Sequence, residues 1–155
     1  MNQNIIVELP QKLIQALRLS SPKANSHSLE NERCGIIVGK RETYERIRIT
    51  KLIEDKYPVI QSPFEILRET SHIYPELVNL VNENNYFDYL GEWHTHPNGP
   101  MRASFMDHIS MKEMVNNPSF GELSWIILLI FFPGQKFVTY YYENDFCKQI
   151  DCKGI

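Results

Sequence analysis

The sequence predicts an α/β (α+β) fold in which helices cover a mixed β-sheet. Two observations lead to this prediction. Stretches with the two-residue periodicity of strands alternate along the chain with stretches whose apolar residues have helical spacing. The length of 155 residues and the hydrophobic content of 43% also suit one sizeable core. We therefore expect a single domain over residues 1–155.

The first half of the chain predicts three strands and a helix. Asn4–Leu9 is rich in β-branched residues, which is typical of a strand. A short amphipathic helix over Pro10–Leu19 follows, because proline suits the first helical position. Glu32–Gly39 contains a continuous apolar run with glycines, which predicts a buried strand. Tyr44–Ile53 alternates isoleucine with basic residues, so we expect a half-solvated strand that pairs with it in a hairpin.

The second half predicts two helices and three further strands. Ser71–Asn84 has apolar residues at helical spacing. Tyr86–His96 reads as a strand that a Pro-Asn-Gly-Pro turn ends, and Ser104–Asn116 as a helix. Leu123–Phe132 and Lys136–Tyr142 flank a Pro-Gly-Gln turn, which favours a second hairpin.

The remaining segments have no clear periodicity. Ser20–Asn31 and Asp55–Pro63 are polar or proline-containing and predict loops that could recognise a partner. Phe64–Arg68 fits neither a helix nor a strand clearly. The polar composition of Glu143–Ile155 predicts a C-terminal tail.

Charge and hydropathy narrow the classes of function. The formal net charge of −3 is not the basic footprint of a nucleic-acid-binding protein. The longest apolar run, Trp125–Pro133, is far shorter than the roughly 20 residues that span a bilayer. Met1–Pro10 has no basic segment followed by a long apolar run, so we expect no signal peptide. These features predict a soluble, cytoplasmic protein without nucleic-acid or membrane partners.

The three cysteines do not predict a disulfide framework. Cys34, Cys147 and Cys152 are an odd number, and we expect no secretion signal. Cys147 and Cys152 could form a weak metal pair, but the sequence favours plain thiols that are buried or near the terminus.

The stretch Gly91–Asp107 contains the residues most typical of a functional site. His94 and His96 are two positions apart on the predicted strand, so their side chains share one face. Asp107 follows at the start of the predicted helix. Two imidazoles and a carboxylate are a frequent ligand set for a catalytic zinc, with a water at the fourth position. By itself, the histidine pair could also be a solvent-facing polar pair.

Ser104 and Asp107 also have a purely structural interpretation. A serine followed three residues later by an acid is a helix N-terminal capping signal. The sharp turn before Ser104 would let the helix start bring Asp107 beside the histidines, so capping and metal binding are compatible.

A zinc hydrolase also needs a general base near the bound water. Glu92 shares strand parity with His94 and His96, and Glu32 precedes the predicted buried strand. The spacing of these residues does not choose between the two glutamates.

The motif resembles that of the JAMM (JAB1/MPN/Mov34) zinc metalloproteases. His-Thr-His is followed by seven residues, a serine, two residues and an aspartate, and Glu32–Gly39 is similar to the family's upstream glutamate and strand. The resemblance implies the JAB1/MPN-like (cytidine-deaminase-like) fold. It also implies that His94, His96 and Asp107 bind one Zn²⁺, that Glu32 is the general base and that Ser104 stabilises the oxyanion.

The form of the motif is similar to compact bacterial members, such as the deconjugating peptidases of CBASS-type anti-phage operons. The implied activity is hydrolysis of the bond after the C-terminus of a ubiquitin-like or conjugated protein. An extended substrate tail would then add to a sheet edge.

Three alternative functions fit the sequence less well. A deaminase-like zinc enzyme would need a His-x-Glu and a Pro-Cys-x-x-Cys, and the sequence has neither. A DNA-repair-associated relative of the same fold fits poorly with the acidic balance. A metal-free, catalytically silent scaffold would normally have lost ligands, whereas this motif is intact.

Overall fold

The computed structural model describes residues 4–17, 30–56, 58, 60–61, 66–67, 74–83, 87–116 and 123–155. These residues form nine strands and three helices. The strands are β1 (Ile6–Leu9), β2 (Cys34–Thr43), β3 (Arg46–Glu54), β4 (Ile60–Gln61), β5 (Ile66–Leu67), β6 (Asp88–Thr95), β7 (Ile126–Phe132), β8 (Lys136–Glu143) and β9 (Phe146–Gly154). The helices are α1 (Gln11–Leu17), α2 (Tyr74–Glu83) and α3 (Phe105–Asn116).

Seven of the strands form a closed barrel in the order β1-β3-β2-β6-β7-β8-β9. The barrel closes because β1 pairs in parallel with both β3 and β9. The pair β6-β7 is also parallel, and the other neighbours are antiparallel. Strands β4 and β5 form a separate two-stranded ribbon. Both predicted hairpins, β2-β3 and β7-β8, are confirmed.

The predicted architecture is corrected in one respect. The chain is a mixed α/β domain, but its main sheet closes into a barrel instead of remaining an open sheet covered by helices. The predicted polar tail over Glu143–Ile155 contains the closing strand β9. Ile150 is the buried residue of β9, so backbone pairing holds this strand and the sequence carries little apolar periodicity. The described barrel therefore leaves no open edge for a substrate tail.

Alternation along β7 divides the core into two layers. Ile127, Leu129 and Phe131 join the cluster inside the barrel, together with Trp93. The intervening residues of β7 face outward and pack in a second cluster with Met111 of α3. All seven residues of β7 are buried, which explains why the sequence shows one continuous apolar run.

The helices lie against different parts of the barrel. Ile14 and Leu17 of α1 pack into the interior cluster. Leu80 of α2 packs against an outer cluster that includes Ile36 and Val38 of β2. The outer face of β6, which carries the two histidines, therefore lies between the cluster that α2 covers and the cluster that α3 covers.

The two predicted loops are described to different extents. Of Ser20–Asn31, only Glu30 and Asn31 belong to the described residues. Of Asp55–Pro63, residues 55–56, 58 and 60–61 are described, and Ile60–Gln61 forms the short strand β4 instead of a loop. Among the described residues, no helix has the length and apolar character needed to cross a membrane.

Candidate metal centre

The end of β6 presents two buried histidines on one face. His94 is 7% exposed and His96 6% exposed. Strand alternation directs both outward from the barrel, whereas Trp93 lies in the interior cluster. His96 follows the last residue of β6, but its N–H still donates to the carbonyl of Phe131 at 2.9 Å. The histidines are therefore fixed by continued pairing with β7.

Asp107 completes a triangle of donor atoms with the histidines. His94 Nε2 and His96 Nε2 are 3.0 Å apart. His94 Nε2 lies 3.4 Å from Asp107 Oδ1, and His96 Nε2 lies 3.6 Å from Asp107 Oδ2. Zinc bonds of about 2.0–2.1 Å place neighbouring ligand atoms roughly 3.3–3.4 Å apart in a tetrahedron. The three separations lie around this value, so the residues fit a zinc ion.

The first turn of α3 orients the carboxylate of Asp107. The Ser104 N–H donates to Asp107 Oδ2 at 2.7 Å, and the Asp107 N–H donates to Ser104 Oγ at 3.1 Å. This reciprocal pair is a capping box, which confirms the capping interpretation of Ser104. The same box turns Asp107 towards His94 and His96, so the cap and the triangle use one carboxylate.

The electrostatics of the triangle favour the forms that bind a metal. Burial raises the pKa of Asp107, but the hydrogen bond and charge of His94 and the bonds from Ser104 outweigh it and hold that pKa well below 3.8. Burial, together with the neighbouring His94, lowers the pKa of His96 from its ordinary 6.5. A metal needs an ionised carboxylate and a neutral imidazole, and these shifts supply both near neutral pH.

Two contacts that the sequence did not reveal anchor the loop between β6 and α3. His96 Nδ1 lies 3.3 Å from the carbonyl of Pro100, which orients the ring so that Nε2 faces Asp107. The Ala103 N–H donates to the Tyr140 hydroxyl of β8 at 3.1 Å. Ala103 and Tyr140 lie far apart in the sequence, so no sequence spacing could have predicted the second contact.

Strand pairing places Glu32 beside the histidines. Cys34 of β2 is paired with His94 of β6. The alignment continues to Arg33 and Thr95, because the Thr95 N–H donates to the Arg33 carbonyl at 2.8 Å and the Arg33 N–H donates to Thr95 Oγ1 at 2.8 Å. Glu32 is the next residue, so it lies opposite His96 and, by alternation, on the histidine face. Its side chain is 7% exposed.

Further bonds fix the segment around Glu32. The side-chain amide of Asn98 donates to the carbonyl of Glu30 at 2.8 Å and ties this segment to the turn after β6. The Arg33 guanidinium donates to the carbonyl of Leu17 at 2.8 Å and also pairs with Glu54 of β3. Glu32 is thus held between two anchored neighbours. Asn98 and Arg33 were not identified from the sequence.

Glu92 lies on the same face of β6 as the histidines, but nearer the start of the strand and therefore farther from His96. It is paired with Ile36, which belongs to the outer apolar cluster. The Tyr89 hydroxyl donates to Glu92 Oε1 at 2.6 Å. Glu32 lies opposite His96, whereas Glu92 precedes both histidines on the strand. The geometry therefore favours Glu32 for a role at the triangle.

The two C-terminal cysteines do not form a metal pair. Cys147 packs with the outer cluster and Cys152 with the interior cluster, so they lie on opposite faces of β9. Cys147 Sγ is 3.7 Å from His108 Nδ1, a neighbour that the sequence did not indicate. Burial raises the pKa of Cys152 to about 11, so this thiol stays protonated near neutral pH. The prediction of plain thiols fits this arrangement.

Comparisons with known proteins agree with the geometry. A family model described as prokaryotic homologs of the JAB domain matches residues 10–139. The CD-NTase/cGAS isopeptidase of Escherichia coli (strain TW11681) is 30% identical over 92 residues, which are 59% of this chain and 58% of that protein. The match thus covers a little over half of that relative's length.

The fold is similar to a solved structure. A protein from Desulfitobacterium hafniense, determined in solution, superposes with a TM-score of 0.65 and 19% sequence identity. The superposition covers 97% of this chain and 93% of that one, which supports the likeness of fold alone. The family match extends over most of the chain and includes the donor triangle and Glu32. This chain belongs to the family of prokaryotic homologs of the JAB domain.

Proposed function

We propose that this chain is a zinc-dependent peptidase or isopeptidase. The observation that carries the proposal is the cluster of His94 Nε2, His96 Nε2 and the Asp107 carboxylate. The two nitrogens are 3.0 Å apart, and they lie 3.4 and 3.6 Å from the Asp107 Oδ1 and Oδ2 atoms respectively, which suits a single zinc ion. The matched family and the relative named as an isopeptidase support a hydrolase. The intact ligand set favours an enzyme over the catalytically silent scaffold.

His94, His96 and Asp107 would hold one Zn²⁺ per chain, with a water as the fourth ligand. When bound, zinc supplies Lewis acidity to the scissile carbonyl and lowers the pKa of that water to about 7. The Pro100 carbonyl holds the ring of His96, and the cap from Ser104 holds the carboxylate. These supporting bonds keep the ligands oriented before the ion arrives.

Glu32 would act as the general base and then as the general acid. The backbone pairing that aligns Glu32 with His96 supports this role, because alternation would direct the Glu32 side chain to the face of the histidines, where the substrate carbonyl would arrive. It takes a proton from the attacking water and gives it to the leaving amine, which is a lysine side chain when the bond is an isopeptide bond. The anchored neighbours Glu30 and Arg33 limit its movement during the two transfers.

Ser104 would stabilise the oxyanion. Its Oγ accepts the Asp107 N–H through a lone pair, and its hydroxyl hydrogen is still available to donate. Ser104 is exposed and directly precedes α3, so a substrate carbonyl can approach it from solvent. A hydrogen bond that forms with the developing negative charge contributes directly to the rate.

We infer that the substrate is a ubiquitin-like or conjugated protein in a bacterial anti-phage setting, and that the reaction takes place in the cytoplasm. The E. coli relative, a CD-NTase/cGAS isopeptidase, supports the isopeptide linkage and the link to a CD-NTase system.

Substitution of Glu32 tests the proposed chemistry. The probe is an isopeptide library of synthetic peptides, each with its C-terminal carboxyl joined to a lysine side chain of a second peptide and with two randomised residues on each side of that bond. We expect zinc-loaded wild type to cleave it, and Glu32→Gln to lose at least about 100-fold in rate while it retains stoichiometric zinc. Glu92→Gln is the matched control and should retain most of the activity.

Two results would contradict the proposal. Absence of cleavage by the zinc-loaded wild type would rule out the proposed hydrolase activity. Full activity in Glu32→Gln together with loss in Glu92→Gln would show that the base is assigned to the wrong glutamate.

A further inference from the structure

Exposed apolar side chains are concentrated beside the candidate metal centre. Met101 is 56% exposed, Phe105 77% and Met106 63%. Among the described residues, six large apolar side chains are exposed to a comparable degree, and three of them lie between positions 101 and 106. Exposed apolar side chains that are scattered singly need no explanation, but a concentration at a site indicates a contact surface. We call Met101, Phe105 and Met106 the apolar rim.

The backbone that carries the apolar rim is anchored. The Ala103 N–H donates to the Tyr140 hydroxyl, and Ala103 itself is buried. The capping box between Ser104 and Asp107 encloses Phe105 and Met106. These bonds fix the backbone at the start of α3. The exposed side chains can therefore bind a partner with little loss of conformational entropy.

Phe105 and Met106 of the apolar rim are next in the chain to two residues of the proposed active site. Phe105 follows the proposed oxyanion donor Ser104, and Met106 precedes the ligand Asp107. Consecutive Cα atoms are about 3.8 Å apart. An extended substrate rises about 3.3 Å per residue, so its residues within two positions of the scissile bond stay within roughly 7 Å of it. When the scissile carbonyl is bound at Ser104, the neighbouring substrate residues therefore lie over the start of α3.

We propose that the apolar rim determines specificity by binding an apolar side chain of the substrate protein within two residues of the scissile bond. This inference rests on the proposed function and adds a substrate class to it: proteins with leucine, methionine or phenylalanine next to the cleaved bond. Burial of such a side chain against Phe105 and Met106 should favour cleavage by about tenfold or more over a serine at the same position.

The isopeptide library defined above tests this specificity. We expect the products of zinc-loaded wild type to be enriched in apolar residues at one of the randomised positions. A matched pair of single isopeptides, with leucine or serine there, should then differ by about tenfold in kcat/KM, chiefly through KM. Phe105→Ser or Met106→Ser should reduce this ratio to about threefold or less, whereas Phe105→Leu should preserve it.

Phe146→Ser is the control, because Phe146 is 55% exposed but lies on β9 outside the apolar rim. It should leave the leucine-to-serine ratio unchanged. Circular dichroism identifies a variant that fails to fold. If either Phe105→Ser or Met106→Ser does not fold, the ratio measured for the other variant tests the proposal.

The outcomes separate the two proposals. Cleavage without an apolar preference, or a preference that both serine variants retain, overturns the specificity role while the proposed hydrolase stands. A loss of preference in Phe146→Ser equal to that in Phe105→Ser also overturns it. Absence of cleavage by zinc-loaded wild type overturns both.

Discussion

Ser104 and Asp107 exchange two hydrogen bonds across the first turn of α3, at 2.7 and 3.1 Å. One carboxylate thereby caps the helix and faces His94 and His96. A helix N-terminus favours negative charge, so the cap, the helix and the histidines all favour the ionised form of Asp107. Helix stability and metal binding are therefore coupled through this residue.

Removal of the Ser104 hydroxyl should affect stability and catalysis to different extents. Ser104→Ala removes the acceptor for the Asp107 N–H, which should lower the free energy of unfolding by about 1 kcal/mol. It also removes the proposed oxyanion donor, which should lower kcat by about 100-fold or more. Urea denaturation and assays with the isopeptide library measure these effects, and zinc should stay bound.

Ser104→Thr is the matched control, because it keeps a hydroxyl group that can both cap and donate. It should restore most of the activity. If Ser104→Ala loses stability but keeps the wild-type kcat, Ser104 is a helix cap without a role in the reaction.

The metal-free protein should lose stability as the pH falls through two separate windows. The pKa of His96 is lower in the native state than its ordinary 6.5, so the unfolded chain takes up this proton first and stability falls as the pH drops below about 6.5. The pKa of Asp107 is held below 3.8, so its contribution is present above that pH and is lost as the pH falls further.

Urea denaturation between pH 8 and pH 2, in the presence of a chelator, measures the upper window and the onset of the lower one. His96→Gln should flatten the upper window, and Asp107→Asn should flatten the lower one. Stability of the wild type that rises on acidification from pH 7 to pH 5.5 would contradict the assigned direction for His96.

Gly91 permits the close approach of β6 to β7 just before the histidines. Its φ is +152°, and a Cβ there would lie 1.9 Å from the carbonyl oxygen of Ile127. Gly91→Ala should therefore lower the free energy of unfolding by about 1–3 kcal/mol and weaken zinc binding by displacing His94 and His96. Thermal denaturation and zinc titration measure the two effects.

Gly99→Ala is the matched control for Gly91→Ala. A Cβ at Gly99 would lie 3.8 Å from its nearest neighbour, His96 Cβ, which is an ordinary contact. Its stability should stay within about 0.5 kcal/mol of wild type. Equal stability in the two variants would show that β6 tolerates a side chain at position 91.

The sequence predicted the donor triangle because local rules determine it. The two-residue spacing of His94 and His96 fixes their common face on a strand, and the serine-to-aspartate spacing fixes the capping box. The place of Glu32 did not follow from spacing, because it depends on the pairing of β2 with β6. The family resemblance indicated Glu32, and strand pairing supplies the physical reason for its nearness.

Closure of the barrel could not be predicted from periodicity. Strand β9 contains polar residues such as Lys148, Gln149 and Asp151 and buries Ile150, so its apolar pattern is weak. Its pairing with β1 joins the two ends of the chain, and hydrogen bonds between backbone groups are the same for any residue type except proline. The anchors Asn98, Arg33 and Tyr140 were missed because their partners are distant in sequence.

X-ray diffraction from crystals of the zinc-loaded protein, collected on both sides of the zinc absorption edge, tests the central claim most directly. The account predicts one anomalous peak per chain, about 2.0–2.1 Å from His94 Nε2, His96 Nε2 and an Asp107 carboxylate oxygen. Asp107→Asn should lose the peak. A fully loaded crystal without a peak between these three residues, or with its peak elsewhere, would contradict the account.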